Sequence, residues 1–212
     1  MRVLIIGASR GIGLETVKQA LEAGHNVRAF ARSSGQVNIT HARLEKIVGD
    51  ALVPKDVESA LKDVDVVIQT LGVALNAKMI MEAVTVFSEA TRVLLPAMID
   101  QGVSRLIAVT GFGAGDSQRS ISPLQRLPFQ AIFGRAYGDK HIQEDLIRNS
   151  GLNWVIARPG VLTNGRRTKS YKVLTDPGTW KNGVISRADV ADFLVQQIDS
   201  DAYLSKTPVL RY

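Results

Sequence analysis

Short apolar runs alternate along this chain with longer segments whose apolar residues recur at helical spacing. Val3-Leu4-Ile5-Ile6 is continuously apolar and of strand length, as expected of a strand buried on both faces. Leu14 to Leu21 follows as an amphipathic helix. The strand pattern returns at Asn26–Ala31, Glu45–Val48, Asp65–Gln69, Ser104–Thr110 and Asn153–Arg158, with a terminal strand at Pro208–Leu210. Helical spacing marks Pro54–Leu61, a long region from Met79 to Gln101, Ala136 to Asn149, and Arg187–Ile198. Pro54 suits a first helical turn, where a missing N–H costs least. The stretch from Gly111 to Arg135 is less regular. Strands alternating with helices predict an α/β, doubly wound parallel sheet covered on both faces, in one three-layer domain over residues 1–212. In such a sheet the segment 111–135 hangs over the carboxyl ends of the strands, where ligands bind.

The first apolar run leads directly into Gly7-Ala8-Ser9-Arg10-Gly11-Ile12-Gly13, which opens the first helix. Strand, glycine turn and helix together form a phosphate cradle, and they make the sheet Rossmann-like. Gly7 permits a sharp exit from the strand, Gly11 lets backbone approach a pyrophosphate, and Gly13 lets helix pack closely on sheet. The spacing is G-x-x-x-G-x-G, a slightly longer turn than G-x-G-x-x-G. Ser9, Arg10 and Ile12 line the same turn.

After the second strand an NAD-specific site would carry an Asp or Glu, about 20 residues past the glycines. Here Arg32-Ser33-Ser34 stands instead, with Arg10 inside the turn. Two guanidiniums and a hydroxyl suit a 2′-phosphate, because forked donors match phosphate oxygens. The expected cofactor is therefore NADP(H). Taken one at a time, both arginines also fit ordinary solvated loops.

Composition adds bounds rather than detail. The chain has 212 residues and no cysteine, which excludes disulfides and thiol catalysis. The first strand leaves no room for a signal peptide, and no apolar run approaches a membrane span, so a cytoplasmic protein is expected. The net charge of +6 is scattered, without a basic helix or aromatic ladder, and does not point to nucleic acid. His25, His41 and His141 show no metal spacing, so no metal site is expected.

The succession of Gly7-x-x-x-Gly11-x-Gly13, Gly49-Asp50, Asp65-Val66-Val67, Lys140-x-x-x-Glu144, Ser150-Gly151-Leu152, Arg158-Pro159-Gly160 and Arg187-Ala188-Asp189-Val190-Ala191 resembles the atypical short-chain dehydrogenase/reductase superfamily. Within it, the chain is similar to the small NAD(P)H-binding branch that includes flavin reductase (biliverdin reductase B). The resemblance implies Asp50 at the adenine, Ala51 among the cofactor-binding residues, and Leu71 and Gly72 near the ribose. It places Thr110 and Gly111 near the nicotinamide, Lys140 beside the cofactor, and Pro159, Gly160, Val161 and Leu162 as the wall behind the ring.

Tyrosine-using members of that superfamily carry Tyr-x-x-x-Lys. Here the segment reads Ala136-Tyr137-Gly138-Asp139-Lys140, so the tyrosine is displaced by one position, about 100° around a helix. Tyr137 is therefore weighed as a general acid against a packing tyrosine, and Lys140 and Thr110 carry more of the catalytic expectation. In flavin-reductase relatives, cofactor and acceptor are bound face to face and catalysis is largely positioning for hydride transfer. Phe112, Gly113, Ile121, Leu124, Leu127, Phe129, Ile132 and Phe133 offer an apolar cover for a planar acceptor, or simply tuck the loop onto the core. Arg166 and Arg167 follow the ring wall and are expected to point into the same mouth, to hold an anionic group of the acceptor.

The expected activity is NADPH-dependent hydride transfer to a planar aromatic or carbonyl acceptor such as a flavin or quinone. The partner is then a small-molecule acceptor, with no nucleic acid and no membrane, and the protein is a monomer or homodimer. Two alternatives stay open: a non-catalytic NADP(H)-binding redox sensor, and an NAD(P)-dependent sugar epimerase or dehydratase. The second needs the tyrosine and a larger C-terminal substrate region.

Overall fold

The computed structural model describes residues 1–33, 35, 37–73 and 83–212, without the side chains of 123–132. Its elements run β1 (Arg2–Ile6), α1 (Gly11–Glu22), β2 (Asn26–Ala31), β3 (Leu44–Val48), α2 (Pro54–Leu61), β4 (Val66–Gln69), α3 (Val86–Asp100) and β5 (Arg105–Val109). A 3₁₀ turn at Gly115–Ser120 leads into α4 (Pro123–Arg148), followed by β6 (Asn153–Pro159), β7 (Val161–Thr163) and β8 (Lys172–Leu174). After a second 3₁₀ turn at Pro177–Thr179 come β9 (Val184–Ser186), α5 (Arg187–Gln196) and β10 (Val209–Arg211).

The apolar runs become neighbours in an eight-stranded sheet ordered β3-β2-β1-β4-β5-β6-β10-β8. The pairs from β3 to β10 are parallel, and β8 closes the sheet antiparallel to β10. Val3 to Ile6 are buried because helices cover both faces. On one face Val17, Ala20 and Leu21 of α1 meet Val190, Phe193 and Leu194 of α5 over Val3 and Ile5. On the other, residues of α2, α3 and α4, among them Leu61, Leu94 and Ile147, pack over Leu4 and Ile6. Burying a side chain of that size contributes about 1.5–3 kcal/mol, so the two helix layers hold the sheet between them. The doubly wound α/β sheet is as the sequence predicts.

Register then fixes the site. Ile6 lies opposite Gln69, Gln69 opposite Ala108, and Val109 opposite Ala157. Gly7, Thr70 and Thr110 therefore leave their strands at the carboxyl end of the sheet, beside Arg158 and Pro159 at the end of β6.

Three features differ from the sequence expectation. The helix expected from Ala136 begins at Pro123, 13 residues earlier, and runs unbroken to Arg148. Pro123 sits at its start, where proline is well tolerated, but Pro128, Gly134 and Gly138 lie inside and make the segment read as irregular. The irregular stretch is thus 111–122, not 111–135. Short strands β7 and β9 pair in parallel as a separate two-stranded ribbon, and β8 adds to the main sheet. Three residues carry too little periodicity to be read as strands. The long helix expected from Met79 is α3, starting at Val86; Met79 and Met81 lie outside the described residues, as does Ser34.

Candidate functional site

At the amino end of α1 the backbone does the work. Gly7 has φ +87°, and a Cβ there would meet the Thr70 carbonyl oxygen at 2.9 Å. A Cβ on Gly13 would run into the Gly7 carbonyl and the Thr70 hydroxyl, 2.6 Å away. The glycines at 7 and 13 are thus required where helix, turn and neighbouring strand converge. The N-cap is Arg10, and no side chain caps the helix. The first-turn N–H groups of Gly11, Ile12 and Gly13 have no intrahelical partner and carry the positive end of the helix dipole. An anion is the acceptor that this arrangement lacks.

Around that turn, Ser9 and Arg10 are on the surface, and Arg32 and Ser33 are exposed just after β2. No carboxylate occupies the end of β2 where an NAD-type site would carry one. Asp50 follows β3; its Oδ1 accepts the Leu52 N–H at 3.0 Å, so part of the carboxylate already shapes its own turn. Ala51 is in the core. Leu71 is partly buried against the core, whereas Gly72 faces open space.

The opposite end of the site, at the exits of β5 and β6, is built from side chains. Thr110 is buried, and its hydroxyl donates to Glu144 Oε1 at 2.7 Å. Its carbonyl accepts from Lys140 Nζ. Glu144 is fully buried and also takes Arg158 Nε at 3.0 Å and Arg158 Nη2. Arg158, equally buried, reaches Asp116 at 2.6 Å and lies 5.0 Å below the Trp180 ring. Burial alone would weaken the Arg158 proton, but Glu144 and Asp116 hold its affinity above the ordinary range. Burial likewise opposes the Asp116 charge, yet Arg158 and Arg148 keep that carboxyl below its usual range. This network fastens α4 and the Gly115–Ser120 turn to β5 and β6. A Cβ at Gly115 would collide with the Glu144 and Arg158 side chains.

Lys140 and Tyr137 both face this exit. Burial lowers the Lys140 pKa to about 8, opposed by Glu144 and Asp139. The ammonium sits 4.7 Å from the centroid of Phe87 and 5.8 Å from that of Tyr137. A Cβ on Gly111 would lie 2.6 Å from the Tyr137 hydroxyl, so the phenol ends against the strand exit. Burial pushes its pKa up to about 12. The structure thus brings Thr110, Gly111, Tyr137 and Lys140 together, and it commits the Thr110 hydroxyl to Glu144.

Pro159 to Leu162 is held by backbone: the Pro159 carbonyl accepts the Phe112 N–H at 2.9 Å, and Val161 N–H donates to Gly183 at 2.8 Å. Gly160 packs against Gly183 too closely for a side chain, and Leu162 continues in the β7–β9 ribbon. Phe112 and Ile121 are buried with Trp180 and Val209, which places them in packing rather than over an opening. Phe133 packs beside Phe87 and Tyr137. The side chains of Leu124, Leu127, Phe129 and Ile132 lie outside the described residues.

The expectation that Arg166 and Arg167 point into the mouth is corrected for Arg167. Its guanidinium donates to Gln19 at 3.1 Å and pairs with Glu22 at 3.1 Å, at the far end of α1. Eleven residues at 1.5 Å put Glu22 about 16 Å from Gly11. Arg166 is exposed on the same strip. Asp189 causes this course. Burial opposes its charge, yet hydrogen bonds from the Tyr212 hydroxyl, the Lys169 N–H and Thr168 hold its carboxyl below the usual range. These bonds pin the strip along α1. Asp189, Glu144 and Asp116 act through contacts distant in sequence, and only their place in the motifs quoted above marks the first two.

A sequence profile of the family described as NAD(P)H-binding matches residues 7–201. A Bacillus subtilis (strain 168) protein described as an uncharacterized sugar epimerase, YhfK, is 27% identical over 206 residues, covering 94% of this chain and 88% of its own. Among solved structures, ChuY of Escherichia coli O157:H7, described as an anaerobilin reductase, is 26% identical, with a TM-score of 0.82 over 100% of this chain and 97% of its own. A short-chain dehydrogenase/reductase of Veillonella parvula DSM 2008 shares the fold at 17% identity and a TM-score of 0.83, covering 100% and 94%.

Proposed function

Because this chain belongs to the NAD(P)H-binding family, we propose that it is an NADPH-dependent reductase that delivers hydride to a planar aromatic or carbonyl acceptor, such as a flavin or quinone. The observation that carries this reading is the pairing of an uncapped α1 amino end with the Thr110–Lys140 cluster at the carboxyl end of the sheet. The first suits phosphates and the second suits a nicotinamide ribose.

The residues fit a dinucleotide. Gly11, Ile12 and Gly13 present N–H groups to the pyrophosphate. Arg10, Arg32 and Ser33 take the 2′-phosphate, and the absent acid after β2 removes the group that would favour NAD. Asp50 serves the adenine, and Leu71 and Gly72 border a ribose. Bound there, the reduced nicotinamide supplies the hydride. Lys140, with one N–H on the Thr110 carbonyl, offers its remaining N–H groups to a ribose hydroxyl. Thr110 and Gly111 form the floor, Pro159 to Leu162 the wall. Tyr137 keeps its proton at neutral pH and supports the floor. Positioning then accounts for the catalysis.

An epimerase of the tyrosine type would need a phenol four residues before Lys140. Ala136 stands there and is buried. That likeness to YhfK therefore does not extend to its described chemistry.

The test is calorimetric titration with NADPH, NADP⁺ and NADH, followed by NADPH oxidation with a flavin, a quinone and anaerobilin, the last because of ChuY's description. Tight NADPH binding with turnover of any acceptor supports the reading. Binding that never leads to turnover favours a redox sensor, and no binding overturns it.

A further inference from the structure

A cleft of about 670 Å³ runs from Gly11 along α1, between that helix and the Asn164–Arg167 strip. Lys18, Arg166, Arg167 and Arg187 line it, and two of the four are matched by a carboxylate. Lys18 is matched by Glu15 at 2.7 Å and Arg167 by Glu22 at 3.1 Å. Arg187, the first residue of α5, instead donates from Nη1 to Asn164 Oδ1 at 2.7 Å. A neutral amide orients a guanidinium without neutralising it. Among the described residues no carboxylate is paired with Arg187.

Its position is specific. A Cβ built on Gly11 would lie 3.9 Å from both Cδ and Nε of Arg187. The arginine stem therefore borders the space that the glycine leaves free beside the uncapped N–H groups of α1. α1 lies over β1 and β2, whereas α5 lies over β6, so Arg187 approaches the turn from the side opposite Arg32. Forked donors match phosphate oxygens wherever they meet them.

Resting on the cofactor reading above, we infer that Arg187 is a second phosphate clamp, oriented by Asn164, which grips the cofactor's pyrophosphate from the α5 side. The 2′-phosphate stays with Arg10 and Arg32. Arg187 then contributes equally to NADPH and NADH, while Arg32 discriminates between them.

The experiment is calorimetry with NADPH, NADH and adenosine 2′-monophosphate on the wild type, Arg187→Ala, Asn164→Ala and Arg32→Asp. Arg187→Ala should weaken both dinucleotides about tenfold or more and leave the mononucleotide unchanged, as expected for one charge-assisted bond to a phosphate. Asn164→Ala, which keeps the charge but frees it, should show a smaller loss of the same kind. Arg32→Asp should weaken NADPH and the mononucleotide but not NADH. Thermal midpoints of all variants register any loss of fold. NADPH binding by Arg187→Ala within twofold of the wild type overturns the clamp alone. An equal loss for the mononucleotide in a folded Arg187→Ala also overturns it, because the effect would then not belong to the pyrophosphate. A wild type that binds none of the three overturns both the clamp and the reductase reading.

Discussion

The two ends of the site are made of different material. Around α1 the functional groups are backbone N–H groups at a glycine turn, with surface arginines nearby and no cap. At the exits of β5 and β6 the parts are side chains in one network, with Thr110, Glu144 and Arg158 buried, Lys140 partly buried and Asp116 exposed. One end leaves its backbone donors uncapped by any side chain. The other is bonded largely within itself, although Arg158 Nη1 is a buried donor without a partner, and it holds a surface still. The difference teaches that affinity and reactivity can be disturbed separately here.

The largest effect is expected where the buried end is broken. Glu144→Leu takes the buried carboxylate from the fully buried Arg158 and leaves it the exposed Asp116, and losing one partner of such a pair costs about 3–5 kcal/mol. Urea unfolding should register this loss, and Arg158→Met in the same chain should recover a large part of it. Equal losses in single and double variants would show that the two residues act independently. Next is Arg32→Asp at the open end. It should remove the preference for NADPH over NADH, a change of about ten- to a hundredfold in relative affinity, with no change in unfolding midpoint. Retained selectivity would sever Arg32 from the 2′-phosphate.

The same difference decides what the sequence could tell. The glycine turn is local: Gly7, Gly11 and Gly13 act through chain geometry within seven residues, and their spacing is visible in one dimension. The parallel sheet is legible for a similar reason, since its buried strands are mostly apolar runs, with Arg28 in β2 and Arg158 in β6 as interruptions. The side-chain end is assembled across 34 residues for Thr110 with Glu144 and 30 for Lys140 with Thr110. No periodicity records such contacts. The early start of α4 was hidden by Pro128, Gly134 and Gly138, which oppose helix locally and are overridden by the helix as a whole. Arg167 was misplaced because nothing local shows that Asp189 steers the strip down α1.

A smaller effect should sharpen the contrast by its sign. Lys140 has a folded-state pKa of about 8, below its ordinary 10.5. Below pH 8 the group is charged in both states, and the folded protein bears the whole desolvation cost. Between pH 8 and 10.5 the unfolded chain holds more protons, so stability rises with pH across that window. Lys140→Met should therefore stabilise the protein at pH 7 by about 1–2 kcal/mol, discounted for partial exposure, and the gain should fade by pH 10.5. Urea curves at both pH values measure it. A lysine kept at a cost in stability is what a working group at a binding surface looks like. A destabilised Lys140→Met at pH 7 would instead mark the residue as structural.

The smallest effect concerns the tyrosine. Tyr137 sits one position away from where a proton-donating phenol is expected, yet its hydroxyl ends against Gly111 at the edge of the proposed nicotinamide floor. Contact alone does not separate an acid from a support. Tyr137→Phe separates them: a general acid contributes about 10²–10⁴-fold, whereas a support should cost less than tenfold in turnover. The contact itself can be examined by a cycle. Gly111→Ala places a methyl 2.6 Å from the hydroxyl oxygen and should cost about 1–3 kcal/mol as overpacking. Adding Tyr137→Phe removes that oxygen, leaving Cζ at 3.2 Å, and should return much of the loss. Recovery of stability together with near-normal turnover in Tyr137→Phe assigns the phenol to shape. A hundredfold fall in turnover would give the displaced tyrosine the proton after all, and the closed end of the site would then be chemically active as well as rigid.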